Sequence, residues 1–242
     1  ATGAGVVISQ YFGARDQKKV HDAVHTAVAM TLLMAVICTA VGMLISYKAL
    51  EWMDTPEDVV GHAAAYLQIY FAGVSGLMLY NIGSGILRAV GDSRRPLYFL
   101  IFSACLNLAL DLAFVCVLGM GVEGVAYATI IAQFLSALLT FFVLCRSQEC
   151  YRFSLRDLKL DWGMLRQILR LGIPTGLQLG ITALSNVFVQ SYINAFQSSC
   201  MAGWTSYNRL DAFAWLPMLA LGMANTTFVG QNLGAGQLER AK

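Results

Sequence analysis

Three polar side chains recur every four residues inside an apolar run at 97–118: Ser103, Asn107 and Asp111. In a helix, the spacing i, i+4, i+8 stacks them on one face. The next apolar run, 122–145, carries Thr129, Gln133, Ser136 and Thr140 at helical spacing, and a tight turn joins the two, so the polar faces are expected to meet. A carboxylate, an amide oxygen and hydroxyls are hard oxygen ligands for a small cation, and they equally suit a protonatable acid with hydrogen-bond partners. Taking an acid out of water favours its neutral form, the property that proton coupling needs. The competing role is an interhelical hydrogen bond that only holds packing, and for Asn107 and Thr129 the residue types do not separate the two.

Such residues matter most where the surroundings are apolar, and the composition supplies those surroundings. Of 242 residues, 57% are hydrophobic and 12% charged, with a mean hydropathy of +0.62, which marks a membrane protein. A helix crosses the hydrocarbon core with about 20 apolar residues. Runs at 24–47, 64–87, 97–118, 122–145, 171–194 and 203–229 predict six spans, and Ala1–Tyr11 reads as the tail of an earlier helix in a chain truncated at both ends. Fourteen of the sixteen Lys and Arg fall in alternate connections, around 15–19, 88–95, 146–170 and 240–242. Lys48 and Arg209 are the remaining two. Cytoplasmic loops collect basic residues, so the loops at Lys18, Arg94 and Lys159 are expected inside, and those at Glu57, Gly121 and Ser198 outside.

One stretch appears twice. ISQYFGARDQKKV at 8–20 returns as VGQNLGAGQLERA at 229–241, with Gln10, Gly13 and Ala14 matching Gln231, Gly234 and Ala235 at an offset of 221 residues. An even number of spans separates the copies, so both end helices that run in the same direction, and the pattern predicts a six-helix unit duplicated in parallel. Gly and Ala suit a tight helix exit, and Gln10 and Gln231 are read as parts of that exit without chemistry.

Other polar residues are candidates for lining a cavity: Asn81 with Ser84 and Arg88 on one helix face, Tyr66 and Tyr70 earlier on that helix, and Thr175, Gln178, Thr182, Ser185 and Asn186 after Pro174. Tyrosine near a helix end also anchors at the membrane interface. Arg209 and Asp211 are read as a structural pair, and Pro217 as a kink. GMGVEG at 119–124 fits a dinucleotide-binding pattern, but the apolar run before it is too long for a strand and no acid follows at the required distance, so it is an outer turn. The six cysteines, at 38, 105, 116, 145, 150 and 200, lack metal spacing and are read as free thiols. His21, His25 and His62 are read as solvated. No cluster of His, Cys or Ser with acids marks an enzyme, and no cofactor or nucleic-acid partner is expected.

The twin motifs, ILRAVGDSRRP at 86–96, NLALD at 107–111 and LGIPTGLQ at 171–178 together resemble the multidrug and toxic compound extrusion (MATE) family of transporters, in its bacterial type. The resemblance covers essentially the whole chain, as part of helix two to helix eight. It implies an all-α polytopic membrane protein of two six-helix lobes related by a parallel pseudo-two-fold repeat. Residues 1–145 would be the amino-terminal lobe without helix one, 146–170 an amphipathic cytoplasmic linker, and 171–242 the first two helices of the carboxy-terminal lobe. It also implies antiport: organic, often cationic drugs or toxic compounds leave the cell in exchange for protons or sodium ions, by alternating access of the lobes. Asn107, Asp111 and Thr129 match the family's amino-terminal cation site, which usually includes a further acid from helix one, and they would be metal ligands if the ion is sodium. The candidate lining residues are Asn81, Ser103, Gln133, Tyr70, Gln178 and Thr182. A monomer in the cell inner (plasma) membrane is expected. The alternative on the same architecture is a flippase or exporter of lipid-linked or polysaccharide precursors, which would favour a more basic cavity than spans holding Arg209 alone.

Overall fold

A computed structural model describes residues 1–52, 57–194 and 197–241, with the side chains at 49, 52, 57–59, 62, 191, 194 and 197–202 left out. The readings of His62 and Cys200, and the side chains of Glu57 and Ser198, therefore lie outside the described residues. The described chain is helical: α1 Thr2–Gly13, α2 Gln17–Trp52, α3 Glu57–Ala89, α4 Arg94–Leu112, a π turn Ala113–Val117, α5 Gly121–Arg146, a 3-10 turn Leu155–Asp157, α6 Trp162–Asn194, α7 Gln197–Gly234 and α8 Leu238–Ala241. Among the described residues five helices, α2 to α5 and α7, are long and apolar enough to cross a membrane, α4 together with its π turn. The sixth expected span, α6, has the length but is diluted by Thr175, Gln178, Thr182, Ser185 and Asn186.

The helix ends follow local chemistry. Asp16 caps α2 by accepting the Lys19 backbone N–H at 3.1 Å, and Asp161 caps α6 through the Met164 N–H at 2.8 Å. The Lys19 backbone hydrogen bond, and then the Lys19 side chain, hold the Asp16 carboxyl below its usual pKa. Gly119 and Gly121 take φ of +64° and +60° in the turn before α5, a conformation only glycine adopts freely.

Helices approach closely where one of them is bare. A methyl group on Gly73, Gly76 or Gly83 of α3 would press on Ile130, Phe134 or Thr140 of α5, and one on Gly42 of α2 would overlap the Phe71 ring. Small residues at such interfaces bring backbones together, which is how helices bind where lipid supplies no hydrophobic drive. The tight core gathers at one end: Ile8 of α1, Val20 and Val24 of α2, Ile86 and Leu87 of α3, Leu144 of α5, Phe153 of the linker and Ile168 of α6. The basic connections meet there as well, which agrees with a common membrane side for them.

The long connection is fastened to the first helices. Its extended part is only 147–161, because α6 starts at Trp162, and it is stitched to α2 by side chains. His25 is 1% exposed, stacks on Phe153 at 5.4 Å, donates from Nδ1 to the His21 carbonyl at 2.8 Å and accepts the Ser154 N–H on Nε2 at 3.2 Å. The reading of His25 as solvated is thus corrected: its partner stands 129 residues away in sequence, where local context gives no hint of it. His21 stacks on His25 and lies 4.0 Å from Asp157. These three side chains come near enough to suggest a metal cluster. With both His25 nitrogens engaged by backbone groups, however, the ring has no free lone pair to offer, and the cluster fastens the linker.

Candidate functional site

The site is built on the α4–α5 pair, where the first polar contact is Ser103, whose hydroxyl donates to the Ala132 carbonyl at 2.8 Å. One turn on, Asn107 Nδ2 reaches Thr129 Oγ1 at 3.5 Å, while the Thr129 hydroxyl donates to its own helix at Val125 O, 2.9 Å. The contact is long, so Asn107 is placed by its helix more than held by Thr129. One turn further stands Asp111, half-buried, with Oδ1 shielded from solvent and given no hydrogen bond by any group among the described residues. The i, i+4, i+8 face thus exists, and Asn107 and Thr129 meet as expected.

Asp111 lies seventeen residues beyond Arg94 and six before Val117, in the outer part of the span and just ahead of the π turn. A π turn opens the helical ladder locally and often marks a functional position. The α5 face departs from the expectation that the whole polar stripe meets α4. Thr140 is buried beneath Gly83 of α3, so it turns away from α4, and Ser136 and Thr140 both donate to carbonyls of their own helix. Gln133 is half-buried between these two faces.

The remaining candidates are not brought to Asp111. Tyr70 stacks on Tyr66, with ring centroids 6.3 Å apart, and meets Phe71 edge-on. Asn81 donates to Leu77 O of its own helix. Gln178 and Thr182 are exposed on α6, with the Thr182 hydroxyl bonded to the Gln178 carbonyl. Among the described residues no ion pair joins Arg209 to Asp211. Arg88 lines a small cavity of about 110 Å³ with Gly5, Val6, Met223, Thr226 and Thr227, between α1, α3 and α7. Gln231 was read as inert; its amide crosses from α7 to the Ala89 carbonyl of α3 at 2.8 Å, a contact for which the sequence offers no signal beyond the repeated motif.

The two copies of that motif share their backbone in detail. Ala14, Arg15 and Asp16 donate N–H groups to Gln10, Phe12 and Tyr11, and Ala235, Gly236 and Gln237 donate to Gln231, Leu233 and Asn232, the same pattern displaced by 221 residues. Arg15 has φ +57° where its counterpart Gly236 has +70°.

Comparison with known proteins places this arrangement. The sequence profile of the MatE family matches residues 1–113 and 174–242. Probable multidrug resistance protein YoeA of Bacillus subtilis is 31% identical over all of this chain and 54% of its own length, and YpnP of the same organism is 33% identical over 97% of this chain and 52% of its own. A crystal structure of MATE in the bent conformation superposes with a TM-score of 0.92 at 27% identity, covering 99% of this chain and 54% of that one. An outward-facing multidrug resistance MATE family transporter of the MOP superfamily gives 0.91 at 26%, over 99% and 54%. The chain spans about half the length of the curated relatives it matches. A profile match over most of the chain, full-length relatives at about 30% identity and superposition across nearly every residue carry one conclusion: this multi-pass membrane chain belongs to the MATE family of transporters.

Proposed function

We propose that the complete protein, of which this chain is about half, is a secondary active antiporter of the cell inner (plasma) membrane. It exports organic, often cationic compounds in exchange for protons or sodium ions. Residues 1–145 form the bulk of one lobe, 146–170 bridge the lobes, and 171–242 begin the second. The reading draws on relatives named for multidrug resistance and, for the mechanism, on one observation: a shielded carboxylate oxygen of Asp111 with no protein donor, one turn from the Asn107–Thr129 contact. An ionised Asp costs on the order of 3 kcal/mol at the centre of a membrane span and less toward its end, so a helix that only needed packing would still be better served by Leu. A proton or a sodium ion removes that cost. Asn107 and Thr129 provide the oxygens that would share a cation or bond the neutral acid. Loaded and unloaded forms then favour different arrangements of the lobes, which is what exchange requires.

Asp111→Asn keeps shape and hydrogen bonding but removes the titration. In the full-length protein it is expected to insert normally and to lose gradient-driven efflux from vesicles, measured with the proton and sodium gradients collapsed separately. Normal pumping with unchanged ion dependence would return Asp111 to a packing role.

A further inference from the structure

The corner at which the two motif copies meet is built reciprocally. A methyl group on Gly13 of α1 would overlap the Gln231 carbonyl of α7, and one on Gly234 of α7 would overlap the Gln10 carbonyl of α1. Under the 221-residue offset these are the same contact read in both directions, the pattern of a two-fold interface. One turn earlier a side chain on Gly230 would strike the Ser9 hydroxyl, so Ser9–Gly13 and Gly230–Gly234 each put small residues four apart, facing each other. Two helices meeting this way touch backbone to backbone. One polar bond crosses the junction: Gln231 Nε2 donates to the Ala89 carbonyl, one of the end-of-helix carbonyls that α3 leaves without an intrahelical partner.

We propose that this corner is a cytoplasmic latch, with Gly13 and Gly234 as its closing faces and Gln231 as its catch. The inference rests on the alternating-access reading above. The contact lies at the basic end and joins α7 to α1 and α3, that is, the start of the second lobe to the first. The small cavity lined by Arg88, Met223 and Thr227 lies between the same three helices, so parting them at the corner would widen it. The chemistry of the corner suits repeated opening. Van der Waals contact between bare helix faces and a neutral hydrogen bond bias an equilibrium without locking it. A glycine face is also intolerant: any side chain there is a wedge.

The test uses the full-length protein with native cysteines replaced and Thr227→Cys as reporter, in inside-out membrane vesicles exposed to an impermeant maleimide. Removing the catch with Gln231→Ala should raise the labelling rate about fivefold, the equilibrium value of one net neutral hydrogen bond. Wedging the faces with Gly13→Leu should raise it further, by tenfold or more. Unchanged labelling in both variants, at normal protein amounts, overturns the latch and leaves a fixed helix contact. If Gly13→Leu fails to reach the membrane, Gln231→Ala decides alone: faster labelling supports the latch and an unchanged rate overturns it. The readout is access of one thiol, with no substrate or gradient, so it fails or succeeds independently of the Asp111→Asn transport result.

Discussion

At the basic end of the bundle Ile8, Ile86, Leu87 and Leu144 are fully buried, and His25 has both ring nitrogens bonded. Toward the far end of α4, Leu108, Leu112 and Val117 are exposed, while one carboxylate oxygen is shielded and lacks a protein partner. The first region encloses its apolar groups and pairs His25 with the linker, although His21 Nδ1 is shielded there without a hydrogen-bond partner among the described residues. The second shows apolar groups outward, as a lipid-facing surface does, and leaves a polar group available. Packing is therefore tightest where the connections meet, and the proposed ion site lies toward the less enclosed end.

That contrast can be broken by experiment. In the full-length protein, His25→Ala empties a buried site and leaves the Ser154 N–H without its acceptor. It should cost about 3 kcal/mol and lower the melting temperature in detergent by roughly 8 °C. Transport per folded molecule should stay normal, and a loss of transport without a loss of stability would dissolve the distinction between the regions. Thr129→Val tests the other side, because it keeps the shape and removes the hydroxyl beside Asn107. Efflux is expected to fall about tenfold, equivalent to roughly 1.4 kcal/mol, with the melting temperature nearly unchanged. Equal efflux would place Thr129 with the packing residues. The smallest effect is expected at Arg15→Gly, which gives the first motif copy the residue found at its counterpart, Gly236. Relief of the positive φ outweighs the added freedom of the unfolded chain by about 0.5 kcal/mol, read as a rise of a degree or two. A drop in melting temperature would mean that the Arg15 side chain stabilises the corner.

Much of this was legible in the sequence for a plain reason: apolar runs of membrane length fix the helices, and four-residue spacing fixes the Ser103, Asn107 and Asp111 face. Spacing gives a face but not the neighbour across from it. Thr129 and Thr140 share the same periodic run, yet one turns to α4 and the other lies beneath Gly83, because bare glycines draw α5 against α3. The early start of α6 escaped for a similar reason. Arg166 and Arg170 suggested a surface segment, while the Asp161 cap and the burial of Met164 and Ile168 make the same residues the first turns of a long helix. Partners far apart in sequence, His25 with Ser154 and Gln231 with Ala89, left no local trace.

The reciprocal contact of Gly13 with Gln231 and Gly234 with Gln10 has a meaning for ancestry. A surface that meets its own copy is complementary to itself, so the fit that closes this corner within one chain is one that two separate copies of the motif could also make. If the two motif copies arose by duplication, the unit that carried this corner had the face needed to pair with its own copy. Tethering the halves would then have changed the effective concentration of the partners rather than the interface between them.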